Sequence, residues 1–385
     1  MILFLHNRYR TTGGEERAVE DLMWLVRDRL DEPAELLARD SAIMAGPSAA
    51  LGLLRGGLGP SEVSKAVRLS GARVVHAHNL NPAFGWRALA AARAAGARVV
   101  LHLHQYRLVC AIGVCFTRGE ECTRCHGRNT FPGVRLNCRG SRAEALAYGA
   151  SLALWQRRLV EQADVLLVPS AFARERLRAL GAPLPWERVS VLPPPLRTLA
   201  AGREGGGKES PVPYALVVSR LAPEKGVDVA VDACRIAGMP LLVAGDGPER
   251  AALRERAAGA DVRFLGRVDD ETLAELRAGA AIALAPSRSA ETFGLAVAEA
   301  MSAGLPVAAS RVGALPELLD DQALVAPGDA QALAEAVGRL AGDVAAGRSN
   351  AERVRALCAP EVVAAGLLTA YGGRAPAARG ADLTT

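Results

Sequence analysis

Apolar residues recur along the chain as short runs, separated by stretches with helical spacing. The runs ILFL (2–5), VVHAH (74–78), ARVVLHL (97–103) and DVLLVPS (164–170) read as strands, with a weaker one at RVSVLP (188–193). Between them lie helical stretches such as 15–30 and 83–95. The segment 193–213 is rich in Pro and Gly and nearly empty of core-type residues, which predicts a linker, set at 196–212. The alternation then restarts at YALVVSR (214–220) and continues through PLLVAG (240–245), DVRFLG (261–266), AIALAPS (281–287), LPVAAS (305–310) and ALVAP (323–327). Strands alternating with helices over short loops predict parallel sheets covered on both faces. The expected fold is therefore α/β: two doubly wound, Rossmann-like domains, 1–195 and 213–358, facing one cleft. A terminal helix from 359 is expected to pack back on the first. Sites in such sheets lie beyond the carboxyl ends of strands.

Composition sharpens this picture. The chain has 385 residues, 50% hydrophobic and 23% charged, enough to build two cores and too apolar for a disordered chain. No apolar run reaches the roughly 18 residues of a spanning helix. The N-terminal MILFLHNRYR lacks the long apolar region of a secretory leader, so a cytoplasmic protein is expected. The net charge is +5, but residues 98–142 carry eight arginines against Glu120 and Glu121, leaving the rest of the chain at −1. Lys65, Lys208 and Lys225 are the only lysines, so a lysine kept within a motif is informative.

Three stretches of the second half carry candidate chemistry. In PSRSAETFGLAVAEAMSAGLPVAAS (286–310), Glu291 and Glu299 flank a strand-to-helix turn, and the helix begins near Gly294. The first-turn N–H groups around Gly294 and Leu295 would form a diphosphate site, since a helix N-terminus offers free donors and a positive dipole end. Glu291 would accept hydrogen bonds from sugar hydroxyls, and Glu299, set among alanines where a lone solvated charge is awkward, would bind a ribose diol. In SRLAPEKG (219–226), Arg220 and Lys225 follow a strand and suit a pyrophosphate. AGDGPER (245–250) adds a Gly-rich turn. In the first half, Gly13 and Gly14 read as a close-approach loop before a helix. His104 and Arg107 follow the strand at 97–103, whereas His76 and His102 read as structural.

Taken together, these motifs resemble the retaining glycosyltransferases of family 4, which have the two-domain GT-B fold. The matching elements are Ser219-Arg220-Leu221 with Glu224-Lys225-Gly226, Gly245-Asp246-Gly247-Pro248, and the Glu291/Glu299 pair. The resemblance implies a first domain for the acceptor and a second for a UDP- or GDP-type nucleotide-sugar donor. Arg220 and Lys225 would hold the diphosphate, Glu299 the ribose and Glu291 the transferred sugar, with Gly13, Gly14, Gly245, Gly294 and Leu295 also at the donor. His104 matches the family's active-site histidine, and the sugar would pass to a hydroxyl acceptor with retention. No DxD follows a strand in the right place, so a catalytic divalent metal is not expected.

Five of the seven cysteines fall within 29 residues, Cys110, Cys115, Cys122, Cys125 and Cys138. Thiolates clustered around one CxxC suit structural zinc; an iron–sulfur cluster and free buried thiols are the alternatives. A subset of the same family is similar here at Cys110, Cys122, Cys125 and Cys138, which would make these the ligands; Cys115 departs from it. The surrounding arginines suit an anionic or lipid-linked acceptor, with peripheral contact at the inner face of a membrane through the helix at 142–162. Two other functions compete: a nucleotide-sugar epimerase of the same fold, and a polyanion- or nucleic-acid-binding zinc protein. Nucleic acid is not expected, since residues 98–142 offer only Tyr106, Phe116 and Phe131 as stacking platforms.

Overall fold

The computed structural model describes residues 1–9, 13–200 and 212–373. The first sheet is built from β1 (Ile2–Arg8), β2 (Ala34–Asp40), β3 (Val74–Ala77) and β4 (Arg98–His102), then, beyond a two-stranded hairpin of β5 (Phe116–Thr117) and β6 (Glu120–Glu121), from β7 (Val165–Val168) and β8 (Val189–Val191). Its order is β2-β1-β3-β4-β7-β8, parallel throughout. The second sheet is built from β9 (Ala215–Val218), β10 (Leu241–Ala244), β11 (Val262–Gly266), β12 (Ile282–Ala285), β13 (Val307–Ser310) and β14 (Leu324–Val325). Its order, β11-β10-β9-β12-β13-β14, is also parallel. Strand order reverses between β1 and β3 in one sheet and between β9 and β12 in the other. These two switch points open the crevices in which ligands of doubly wound sheets bind.

The central strands are buried on both faces, which is why they read as continuous apolar runs. β2 escaped the apolar-run reading because it is an edge strand with a single buried residue, Ala34. The hairpin was missed for a different reason. Its strands have two residues each, and its turn is defined by backbone: Arg118 and Gly119 both take positive φ, the geometry of a type I′ turn. The segment 105–140 is therefore no bare loop. It places Tyr106, Leu108, Val109 and Cys115 in the first domain's core.

The chain crosses between the domains twice, and the crossings touch: Leu196 N donates to Cys358 O at 3.1 Å. Of the expected linker, residues 201–211 lie outside the described residues. After the helix Val344–Cys358, Pro360 starts a new helix, Pro360–Ala370, that returns to the first domain. It buries Val363, Leu367 and Tyr371 with Ile2, Phe4, Leu22 and Val100. Arg98 and Arg73 donate to the carbonyls of Ala370 and Tyr371, at 2.9 and 3.1 Å. Tyr371 Oη and His76 Nδ1 share a buried hydrogen bond of 2.8 Å. Tyr371→Phe strands the imidazole nitrogen, so a loss of about 1–3 kcal/mol is expected. Thermal unfolding followed by calorimetry, with the first domain's transition lowered by a few degrees, checks this.

Candidate active site

The loops after β9 and β12 meet at the second sheet's switch point. Gly226 takes φ 63°, and a Cβ there would lie 2.1 Å from Pro286 O. That contact brings Lys225 Nζ to Glu291 Oε1 at 2.6 Å, where Ser287 Oγ donates to the same oxygen at 2.6 Å. Burial would raise the Glu291 carboxyl, but the Lys225 charge and the two hydrogen bonds outweigh it and hold the group below its ordinary range. Arg220 pairs with Glu224, whose own carbonyl accepts from Arg288 N and Ser289 N. Each cation expected at the diphosphate is thus already held by one carboxylate.

Gly294, at φ 97°, caps the helix Leu295–Ser302, whose first residues line the cleft. A Cβ at Gly294 would strike Leu315 Cδ2 at 2.5 Å, so packing as well as φ demands glycine. At Gly245 a Cβ would sit 1.8 Å from Ser219 O, so this glycine lets the ends of β9 and β10 close up; it also lines the cleft. Glu299, set among alanines where a lone solvated charge is awkward, has a partner in the fold. It pairs with Arg277 of the helix Asp270–Gly279, and Arg277 is itself 6% exposed. No local spacing signals that partner, which lies 22 residues away and across the sheet's crossover.

The first domain faces this site across a cleft of about 1850 Å³. That is larger than one small ligand needs. Gly14 stands opposite the helix Leu295–Ser302, with Leu295 Cδ2 4.0 Å from where a Gly14 Cβ would be, and Gly13 lines the same cleft. Thr292, next to Glu291, joins the two walls: its Oγ1 donates to His104 O at 2.9 Å, and its carbonyl accepts from Ser170 Oγ at 2.7 Å.

His104 tops a stack of rings on the sheet. His102 and His104 lie 4.1 Å apart between centroids, His76 packs near-parallel to His102, and His78 Nδ1 shares a 2.8 Å hydrogen bond with His104 Nε2. Burial first, then proximity to one another, depresses all four, His76 to about 3, so the stack is neutral at pH 7. Beside it Tyr9 Oη and Gln105 Nε2 donate to Glu15 Oε2 at 2.6 and 3.2 Å. Glu16 instead holds the loop, accepting from Tyr9 N and Gly13 N. The sequence reading passed over Glu15 and Gln105, although each adjoins a residue it singled out.

The five clustered cysteines line one small cavity of about 20 Å³ with Pro132, Gly133 and Leu136. Cys115 lies there with the other four, 1% exposed, and Cys110 is lowered to about 6, chiefly by a hydrogen bond with Cys115. Burial pushes Cys125 up to about 11. All seven cysteines are free thiols.

Comparison with known proteins agrees with this architecture. Residues 9–195 match the family model described as "Glycosyl transferase 4-like domain". Residues 212–343 match "Glycosyl transferases group 1". The chain belongs to the GT-B glycosyltransferases of family 4. It is 34% identical over 210 residues to the GDP-mannose-dependent alpha-(1-6)-phosphatidylinositol dimannoside mannosyltransferase of Mycobacterium tuberculosis (strain ATCC 25177 / H37Ra), covering 51% of this chain and 52% of that protein. It is 40% identical over 147 residues to the phosphatidyl-myo-inositol mannosyltransferase of Mycobacterium leprae (strain TN), covering 34% and 39%. The chain thus spans about half the length of the first of these relatives and less of the second. Among solved structures, sucrose-phosphate synthase from Thermosynechococcus elongatus superposes with a TM-score of 0.65 at 20% identity, covering 96% of this chain and 98% of that one. HepE from Anabaena, in complex with UDP and glucose, gives 0.62 at 18% identity, covering 96% and 99%.

The neutral histidine stack has a consequence in acid. Unfolded histidines bind protons below about pH 6.5, whereas the buried rings do not, so stability is present above that pH and is lost as pH falls toward 3. Each such ring contributes a slope of about 1.4 kcal/mol per pH unit. His102 has no hydrogen-bond partner for either ring nitrogen. His102→Phe should therefore flatten the acid limb, measured by urea unfolding at stepped pH from 7 to 4.

Proposed function

We propose that the protein is a glycosyltransferase that moves a sugar from a nucleotide-diphosphate donor to a hydroxyl acceptor with retention of configuration. The observation that carries this reading is the meeting of Arg220, Lys225, Glu291 and the N-terminus of the helix Leu295–Ser302 at one switch point, facing His104 across the cleft. The two cations and the helix terminus are preorganised positive charge for a diphosphate leaving group. They do the work for which other sites recruit a divalent ion, so the reading needs no catalytic metal. Glu291, ionised and clamped by Lys225 and Ser287, is suited to the hydroxyls of the transferred sugar, and Glu299 to the ribose, with Arg277 fixing its carboxylate. In a retaining transfer the acceptor oxygen attacks on the face the diphosphate leaves, and its proton departs with the phosphate.

UDP and GDP are the donor nucleotides to test, the first present in the HepE complexes and the second in the name of the mycobacterial relative. The acceptor side, with Arg107, Arg118 and Arg139 on the cleft, suits an anionic, lipid-linked molecule. Leu51 and Leu54 of the helix Gly46–Arg55, and Leu146 and Leu154 of Arg142–Glu161, are exposed and would give peripheral contact with a membrane. No helix among the described residues is long and apolar enough to cross one. A nucleotide-sugar epimerase of the same fold would share this cleft; the glycosyltransferase reading is favoured by the two family models and by the mannosyltransferase relatives.

Arg220→Ala and Lys225→Ala should each weaken UDP or GDP binding by about 1.5–3 kcal/mol, the range for hydrogen bonds to charged groups, in calorimetric titration. Glu299→Gln should weaken nucleotide binding, and Glu291→Gln should lower kcat more than affinity. Unchanged affinity for every nucleotide in the first two variants would remove the diphosphate assignment.

A structural zinc is proposed for the thiol-lined cavity. Cys110, Cys122, Cys125 and Cys138 would hold it, and Cys115 would serve as a hydrogen-bonding neighbour of Cys110. Elemental analysis of protein purified without chelator should give about one zinc per chain, lost in Cys→Ser variants of those four and kept in Cys115→Ser, with nucleotide binding retained throughout. Iron in its place would assign a cluster, and an ordered, metal-free protein would rule the site out.

A further inference from the structure

Five of the chain's six histidines, His6, His76, His78, His102 and His104, gather beside one another on the first sheet. Only His104 among them has a part in the proposed transfer. His76 lies in β3, His78 follows two residues on, and His102 ends β4, the neighbouring parallel strand. Alternation along a strand puts His76 and His78 on one face, and His102 packs beside both. The ring centroids are 4.4 Å apart for His76 and His78, 5.5 Å for His76 and His102, and 5.6 Å for His78 and His102. Each residue can offer one ring nitrogen such that the three nitrogens all lie within 4.8 Å of one another. The three are buried, at 0%, 3% and 3% exposure.

Burying so many imidazoles strands polar atoms. Among the described residues, His76 Nε2, His78 Nε2 and both nitrogens of His102 have no hydrogen-bond partner. A nitrogen sealed from water and left unpaired carries its full desolvation cost, so a group that satisfies several at once is favoured. The nitrogens that do have partners indicate which group. His76 Nδ1 and Tyr371 Oη share a 2.8 Å hydrogen bond, and His78 Nδ1 shares one of 2.8 Å with His104 Nε2. A neutral ring carries a proton on one nitrogen and a lone pair on the other. With the proton on Nδ1, donated to Tyr371 or to His104, each Nε2 keeps its lone pair. Metal-bound imidazoles are held in this way, the second nitrogen donating to a neighbour that fixes tautomer and ring orientation.

We propose that His76, His78 and His102 form a binding site for a borderline transition-metal cation of the Zn²⁺, Co²⁺ or Ni²⁺ class. Imidazoles suit such ions, whereas Mg²⁺ and Ca²⁺ take oxygen ligands. Small rotations of the rings would settle the nitrogens at the bond length of about 2.0–2.1 Å that zinc makes to imidazole. The positive charge has a counterpart one ring further out. The His6 ring stands 6.4 Å from His78, and Glu15 and Glu16 come within 4.0 and 3.7 Å of its nitrogens. All three ligands are neutral, so the site fills on addition of metal rather than during purification, unlike one built from thiolates. A bound ion would tie β3 to β4 beneath His104. Because the nitrogens are sealed, it enters by local opening of the first domain, and equilibration must precede measurement.

The test adds Zn²⁺, Co²⁺ or Mg²⁺ alone to the full-length protein, removes loose ion by gel filtration and counts metal by elemental analysis. Wild-type protein should hold one more equivalent of Zn²⁺ or Co²⁺ than His102→Phe or His76→Phe, and the same amount of Mg²⁺. The difference in Co²⁺ absorption between wild type and His102→Phe should show d–d bands without thiolate-to-cobalt charge transfer. His126→Ala, at the sixth histidine, and the Cys→Ser variants should keep the histidine-dependent equivalent. Tyr371→Phe leaves all three rings in place and should weaken its Co²⁺ binding by about tenfold or more, which serves if a histidine variant does not fold. Equal metal in wild type and His102→Phe, a difference spectrum with thiolate charge transfer, or equal uptake of Mg²⁺ at the site would overturn the proposal. Each of those results leaves the glycosyltransferase reading and the thiol-lined site untouched.

Discussion

The candidate site exists because two loops of the second domain approach more closely than side chains normally allow. Gly226 rests against the carbonyl of Pro286, and any Cβ at that position would force the loops apart. With the gap closed, Lys225 reaches Glu291 and the carboxylate stays ionised despite its burial. The same loop then carries Thr292 to the opposite wall, where it bonds the backbone of His104. Both walls of the cleft at this point, and the contact between them, depend on one backbone approach. Electrostatic preorganisation of this kind works only while the charged groups are held in place before the reaction.

The two-domain fold was legible in the sequence, because parallel strands buried on both faces leave unbroken apolar runs. What the runs could not show was anything set by exposure or by backbone conformation. β2 is mostly open to solvent, and the hairpin at 116–121 depends on two positive φ angles, one of them at an arginine. The site divides along the same line. Arg220, Lys225, Glu291 and Gly294 stand next to strand ends in the sequence and next to each other in space. Glu299 was legible as a position where a lone solvated charge is awkward, but its partner Arg277 belongs to another helix and left no local trace. Gly294 was noticed as the start of a helix and Gly245 as part of a Gly-rich turn, whereas their immediate cause is the packing of Leu315 and Ser219 O.

The first domain shows how a cysteine-rich segment can belong to a cleft. Its thiols line a small cavity, while Thr117, Arg118 and Arg139 of the same segment line the large cleft between the domains. The segment is anchored to the core through Tyr106 and Val109 and to the helix Arg142–Glu161 through Thr130 Oγ1, which donates to Gly149 O at 2.7 Å. Basic residues that look like a polyanion-binding module in the sequence are spread by the fold: Arg107 sits under the cleft, Arg128 bonds the carbonyl of Ala153, and Arg139 lies over the Tyr148 ring. A stripe for nucleic acid is not what this arrangement makes.

The paired crossings between domains set the mechanics of the whole chain. Leu196 and Cys358 are bonded where the outgoing and returning segments pass, so the domains are joined by two tethers side by side. Two adjacent tethers resist twist and admit bending about the line that joins them, as a door moves on its pins. In this structure the facing walls are also held to each other, through Thr292 to His104 O and Ser170 Oγ. The arrangement also means that the first domain is not a contiguous piece of sequence, since the helix Pro360–Ala370 completes its core. A chain cut before Pro360 would bare Ile2, Phe4 and Val100 on the first sheet, and a gene fragment encoding only the first half would yield a sticky, incompletely covered fold rather than an independent acceptor module.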